Sequence, residues 1–222
     1  MEQYTKIIEF FGLPGCGKTT LENYLITEGT ANSWSFCRMS SLTNEYRQTS
    51  LLFKIKTFPY KSFFLLLLMS CKLPPILSLK NIRIYSSLFR IVLAYHYANN
   101  VRKKNQVIVD HGIIQSIVSI LYSYPQFYKK NKKIISMFIR SICVDSYVFC
   151  SIEPLTSLRR IRQRNRTKEG RLDAIKDDSV LLQYLTNQKK QFEQLTLCLP
   201  QFFVLDMNGN TNDIAKTLLN QI

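Results

Sequence analysis

Acidic residues are missing from a long central stretch of this chain: from position 47 to position 109 there are eleven Lys or Arg and no Asp or Glu. The formal net charge over all 222 residues is +15, from 30 basic and 15 acidic side chains. Such a field repels cationic partners and attracts anions: nucleotides, phosphorylated metabolites, nucleic acid or an acidic membrane surface. A basic face that is merely solvated is the alternative. The six cysteines, Cys16, Cys37, Cys71, Cys143, Cys150 and Cys198, form no C-x-x-C pair and no cluster with His at metal-ligand spacing. That argues against a disulfide scaffold and a zinc site. The first residues lack the basic start, apolar stretch and small-residue cleavage site of a secretory signal, so a cytoplasmic location with reduced thiols is expected. No apolar run approaches the roughly 20 residues of a membrane span. The most apolar stretch, residues 63–69, is bounded by Lys61 and Lys72; a buried helix is expected there, with docking at a membrane interface as the alternative. Internal repeats, low-complexity segments and an interdomain linker are also missing, which leaves one domain over 1–222.

What is present is ample core material in an alternating order of elements. Apolar residues make up 46% of the chain, with 14 Phe and 12 Tyr, enough for a packed interior. Residues 6–11 form a short apolar run ended by Gly12, and 19–26 have helical character. Further strands are expected at 35–39, 106–110, 146–150 and 201–205, and helices at about 79–104 and 113–122, with breaks near Pro59 and at Pro74 and Pro75. Strands separated by helices imply crossover units and a parallel sheet. Ligands of such sheets bind beyond the carboxyl ends of the strands, where Gly12 and Asp110 would meet.

Residues 12–19 read Gly-Leu-Pro-Gly-Cys-Gly-Lys-Thr, the G-x-x-x-x-G-K-[ST] pattern that cradles phosphates. Gly12, Gly15 and Gly17 allow tight turns that bring backbone N–H groups to phosphate oxygens, and the following helix start adds its partial positive charge. Lys18 supplies charge for the β- and γ-phosphates, and the Thr19 hydroxyl is placed for Mg²⁺. Asp110, at the end of a buried strand, can hold Mg²⁺ directly or through water, or serve as an N-cap. Six arginines, Arg159, Arg160, Arg162, Arg164, Arg166 and Arg171, crowd thirteen positions. The pairs Arg160/Arg164 and Arg162/Arg166, each four apart, would line adjacent helical faces. A mobile lid stabilising phosphoryl charge is one use, a solvated helix or nucleic-acid patch the other.

These residues resemble the thymidylate kinase-like branch of the P-loop nucleoside and nucleotide kinases. The likeness rests on 12–20, on 107–110 and on 153–159 with the arginines beyond. It implies an α/β, three-layer P-loop NTPase fold with a parallel sheet, a basic helical acceptor-side insertion at about 45–104 and an arginine-rich lid at about 159–173, from which Arg162, Arg164 and Arg166 carry over. The chain departs from the family in having Asp110-His111 where Asp-Arg is common, and Phe11 where an acid often precedes the first loop glycine. Glu9 lies two residues earlier and points to the same face as Phe11. His111 could replace the missing cation or carry a proton, His96 has no suggested partner, and Cys16 could be made reactive by the helix start.

The expected activity is Mg-ATP-dependent phosphoryl transfer to a small, anionic acceptor, a nucleoside monophosphate or phosphorylated metabolite. Lys18, Asp110, Arg162 and Arg166 are the expected catalytic residues. Gly12, Gly15, Cys16, Gly17, Lys18, Thr19, Thr20, Arg159 and Arg164 are expected to bind ATP, and Thr19 with Asp110 to bind Mg²⁺. The alternative is a P-loop ATPase or nucleotide switch that engages a membrane, nucleic acid or protein through its basic segment; a homodimer is compatible with either.

Overall fold

The structure, a computed structural model, describes residues 6–29, 36–72, 79–100, 106–164 and 172–221. Arg166 with the rest of lid positions 165–171, and the Pro74-Pro75 break, lie outside the described residues.

Strand β1 (Ile7–Gly12) is buried along its whole length, as a strand covered on both faces must be. It leads through the glycine loop into α1 (Lys18–Gly29). A short β2 (Phe36–Arg38) follows, then four helices before the next strand: α2 (Met39–Gln48), α3 (Leu51–Lys56), α4 (Tyr60–Cys71) and α5 (Leu79–Asn100). The chain continues through β3 (Gln106–Asp110), α6 (Ile113–Ser123), α7 (Gln126–Arg140), β4 (Ser146–Ser151), α8 (Pro154–Arg162), α9 (Asp178–Thr196), β5 (Phe202–Asp206) and α10 (Thr211–Leu219). Prolines mark two starts: Pro59 is the residue before α4, and Pro154 opens α8 with its fixed backbone angle.

The five strands form one parallel sheet in the order β2-β3-β1-β4-β5. The fold is therefore α/β, with helices on both faces of the sheet, in three layers. Helices α1 and α10 pack together on one face; α5, α6 and α9 cover the other around β1. The crossover from β1 goes to β2 on one side of β1 and the crossover from β3 goes to β4 on the other, so the loops after β1 and β3 stand at the topological switch point. Parallel register sets Phe10 beside Asp110 and Gly12 beside Cys150, which brings the two predicted ligand-bearing strand ends together.

Phe11 has an apolar role. It stacks on Phe149 with ring centroids 5.2 Å apart and meets Phe192 of α9 at 5.9 Å, a cluster with no room for an acid. Helix α4 corrects the expectation of a buried helix at 63–69. Ser62, Leu65, Leu66 and Met69 are buried, packed with α5 and α7, but Phe63, Phe64 and Leu67 are exposed. Ser62 donates to the carbonyl of Ser141 at 3.0 Å and accepts from its hydroxyl at 2.9 Å, which fixes α4 against the end of α7.

Candidate functional site

Beta-strand β1 turns away from β4 at Gly12 with φ +147°, and a Cβ there would come within 2.4 Å of the Cys150 carbonyl oxygen. Only glycine allows both the angle and the approach. Gly15 and Gly17 also have positive φ, and successive turns of this kind gather N–H groups into an anion-binding concavity at the start of α1. Lys18, only 5% exposed, lies along this loop and donates to the carbonyls of Gly12 and Leu13 at 3.0 Å each. Its ammonium also sits 3.5 Å from the Cys16 sulfur.

Cys16 is fully buried. A hydrogen bond with Cys150, aided by the Lys18 charge, outweighs desolvation and lowers its thiol to about 6, while Cys150 is pushed up. The largest cause is thus a cysteine on β4 rather than the helix start, and burial keeps the thiol from reagents.

Helix α8 braces the loop from outside. Ser157 donates to the Pro14 carbonyl at 2.5 Å, and Arg160 donates to the carbonyls of Cys16 and Met207 at 3.0 Å each. The Cys16 N–H donates to the Leu13 carbonyl at 3.3 Å; holding loop carbonyls outward turns the other N–H groups of the loop toward a phosphate. Arg160 was not among the expected site residues; its spacing from Arg164 placed the two on one face, but the loop contact is tertiary. Arg164 reaches the loop, its guanidinium 3.4 Å from a Cβ built on Gly15. Arg162 does not. It is paired with Asp178 at 2.6 Å and donates to the Ile175 carbonyl at 2.7 Å, tying the end of α8 to the start of α9. Arg159 is exposed on α8.

Across the loop, the Thr19 hydroxyl donates to Asp110 Oδ2 at 2.5 Å. The other oxygen, Asp110 Oδ1, is buried and has no hydrogen-bond partner. A buried carboxylate oxygen without a partner is costly and suits a cation. Among the described residues no group of three or more His, Cys, Asp or Glu is arranged to hold a metal ion by itself. One carboxylate and one hydroxyl beside a phosphate cradle match Mg²⁺, which completes its shell with water and phosphate oxygens, better than a soft metal. His111 follows with φ +64° and Nε2 3.8 Å from Asp110 Oδ2, its ring 71% exposed.

Two cavities share this border. One of about 330 Å³ is lined by Gly15, Gly17, Lys18, Thr19, Thr20 and Arg164 together with Asp110 and His111. The other, about 490 Å³, lies over Glu22, Asn23 and Arg38 and again includes Thr19, Asp110 and His111. In it Arg38 pairs with Glu22 at 3.8 Å and bonds Asn23. Burial, then the Asp110 charge, pushes the Glu22 carboxyl up. A third space of about 340 Å³ opens beside the loop between Leu21, Arg160, Met207 and Ile214.

Glu9 supports the Asp110 turn from below. It is fully buried and accepts from the Tyr95 hydroxyl and from the Ile114 N–H of α6, both at 2.7 Å. Desolvation dominates those bonds and raises its pKa to about 7. The folded value lies above the unfolded one, so the protonated form is favoured by folding. Its contribution is complete below the ordinary carboxyl range and is lost as pH rises through 7, a span of about 3 kcal/mol. Expected outcome: the stability of the wild-type chain falls between about pH 5 and pH 7.5 relative to Glu9→Gln, measured by urea unfolding. Parallel pH curves for the two proteins would refute it. An acid within an apolar strand was the sequence signal; its partners on α5 and α6 were not legible.

A glycine-rich turn at the switch point of a parallel sheet, running into a helix start and faced by a carboxylate from the neighbouring strand, defines a P-loop nucleotide-binding fold. Solved structures to which the chain is similar include deoxyadenosine kinase from M. mycoides with bound dATP, at 15% identity and TM-score 0.49, covering 97% of this chain and 98% of that one. The structures of that enzyme with the products dCMP and a flexible dCDP, and with dCTP, each show 14% identity over 97% of both chains, with TM-scores of 0.47 and 0.48. No family model and no curated protein matches the chain.

Proposed function

We propose that the chain is an ATP-dependent kinase that transfers a phosphoryl group to a small, anionic acceptor, a nucleoside monophosphate or phosphorylated metabolite, in the manner of the thymidylate kinase-like branch. The observation that carries this reading is the shared border of the two cavities: Thr19, Asp110 and His111 line both. A protein that only binds or hydrolyses nucleotide needs one such space; a two-substrate transferase needs two that meet at the reacting phosphate.

The triphosphate lies in the cavity against the loop, held by N–H groups between Gly15 and Thr19 and by Lys18, which exchanges its loop carbonyls for the β- and γ-phosphates. The base of ATP fits the space walled by Leu21, Met207 and Ile214. Thr19 and Asp110 would hold Mg²⁺, which when bound neutralises charge on the phosphate oxygens. The acceptor occupies the second cavity, its anionic group near Arg38 and His111. Its oxygen attacks the γ-phosphorus as the bond to the bridging oxygen breaks and ADP departs. Arg164 is the arginine best placed to meet developing charge from the lid side.

Consumption of ATP across a panel of nucleoside monophosphates, nucleosides and phosphosugars, with Mg²⁺ present, tests the proposal. One acceptor is expected to stimulate turnover about a hundredfold or more, and Lys18→Ala to remove about a thousandfold of that rate while remaining folded by circular dichroism. Full activity of Lys18→Ala, or ATP loss indifferent to every acceptor, would sink the kinase; the second result would favour a nucleotide switch.

A further inference from the structure

Helix α4 carries two apolar faces. Its inner face, Ser62, Leu65, Leu66 and Met69, is buried. On the opposite side Tyr60, Phe64 and Leu67, at steps of four and three residues, are exposed by 65%, 59% and 50%. At 3.6 residues per turn they form one stripe. The preceding α3 extends the apolar surface with Leu52 and Ile55, exposed by 80% and 55%. Large apolar side chains exposed together along one helix face mark an interaction site.

Charge selects the occupant. Positions 47–72 contain five basic residues and no acid, and Lys56, Lys61 and Lys72, at the end of α3 and at the two ends of α4, are exposed. In a two-fold contact with a second copy the same patch meets itself, so these charges would face one another. A polynucleotide would satisfy the lysines but leave Leu52, Ile55 and Leu67 without use. An anionic bilayer surface satisfies both: apolar side chains enter the headgroup boundary while Lys ammonium groups stay at the lipid phosphates. No helix among the described residues is long and apolar enough to cross a membrane, which makes the contact peripheral.

We propose that the α3–α4 surface docks on anionic lipid, with Tyr60, Phe64 and Leu67 inserted and the flanking lysines against the headgroups. This goes beyond the kinase reading and stands independently of it. Sedimentation of the full chain with phosphatidylcholine vesicles, with and without phosphatidylglycerol, tests it. Binding is expected only with the anionic lipid, and is expected to weaken severalfold between about 0.1 and 0.5 M salt. The double variant Phe64→Ser, Leu67→Ser should bind at least about tenfold more weakly, and Lys56→Glu with Lys61→Glu likewise, each lysine being worth about fivefold. Because all four side chains sit on the surface, thermal unfolding should be unchanged. No binding to anionic vesicles, or binding that ignores both double variants, would overturn the proposal. So would a dimer in light scattering that Phe64→Ser dissolves, which would assign the stripe to a second copy, or oligonucleotide binding that survives loss of the apolar pair.

Discussion

Gly112→Ala should cost about 3 kcal/mol or more, lowering Tm by roughly 6–12 °C for a chain of this size. Gly112 precedes α6 with φ −81°, an angle open to any residue, so backbone strain is not the cause. A Cβ there would lie 2.3 Å from Glu9 Cδ and 2.4 Å from the Tyr95 hydroxyl oxygen. Neither neighbour can retreat: Glu9 is held by Tyr95 and the Ile114 N–H, and Tyr95 is fully buried, its hydroxyl pushed well up by desolvation and the adjacent carboxyl. Relief therefore requires moving the start of α6, and with it Asp110 at the end of β3. Thermal unfolding measures the loss, and a cycle with Glu9→Ala checks the mechanism. Shortening Glu9 makes room, so the pair should be less destabilised than the sum of the single variants. A Gly112→Ala protein melting within a degree of wild type would show that the turn can yield.

Asp110→Asn is expected to separate activity from stability. The substitution keeps the side-chain shape and an acceptor for the Thr19 hydroxyl but removes the charge that suits Mg²⁺, so transfer should fall by about a hundredfold to a thousandfold. Residual activity should require more Mg²⁺ than wild type. Folding should not suffer. The Asp110 charge raises the Glu22 carboxyl after burial has done so, and neutralising it relieves like-charge repulsion; Tm should hold or rise. Steady-state kinetics across a Mg²⁺ titration, beside thermal unfolding, reads both effects. A Tm loss as large as that of Gly112→Ala, or unchanged Mg²⁺ dependence, would mean that Asp110 serves only to hold the Thr19 hydroxyl.

The parts of the site written in consecutive residues could be read before folding. Gly12, Gly15, Gly17, Lys18 and Thr19 lie in one turn, and the turn angles and the helix start are local consequences of those residue types. The apolar runs around Ile7, Val107 and Val148 announced buried parallel strands for the same reason, since a strand covered on both faces cannot alternate. Asp110 at the end of its run was legible because carboxyl ends of parallel strands converge.

The arginine segment marks the limit of this kind of reading. Spacing paired Arg160 with Arg164 and Arg162 with Arg166, but it could not tell which pair faces the loop. Packing of α8 against both the loop and α9 decided that, sending Arg160 to the Cys16 carbonyl and Arg162 to Asp178. Likewise Glu9 acquires its raised pKa only from Tyr95, 86 positions away, and Ile114, 105 away, and Cys16 is tuned by Cys150. Apolarity of α4 predicted burial of the whole helix, yet among the described residues α5 and α7 pack against it and cover one side. By itself the sequence determined the phosphate loop, the strand ends and the basic field, because those depend on neighbours along the chain. Which arginine braces the loop, which acid is buried and which apolar face is left to solvent were decided by tertiary structure, because each depends on what another element brings against it.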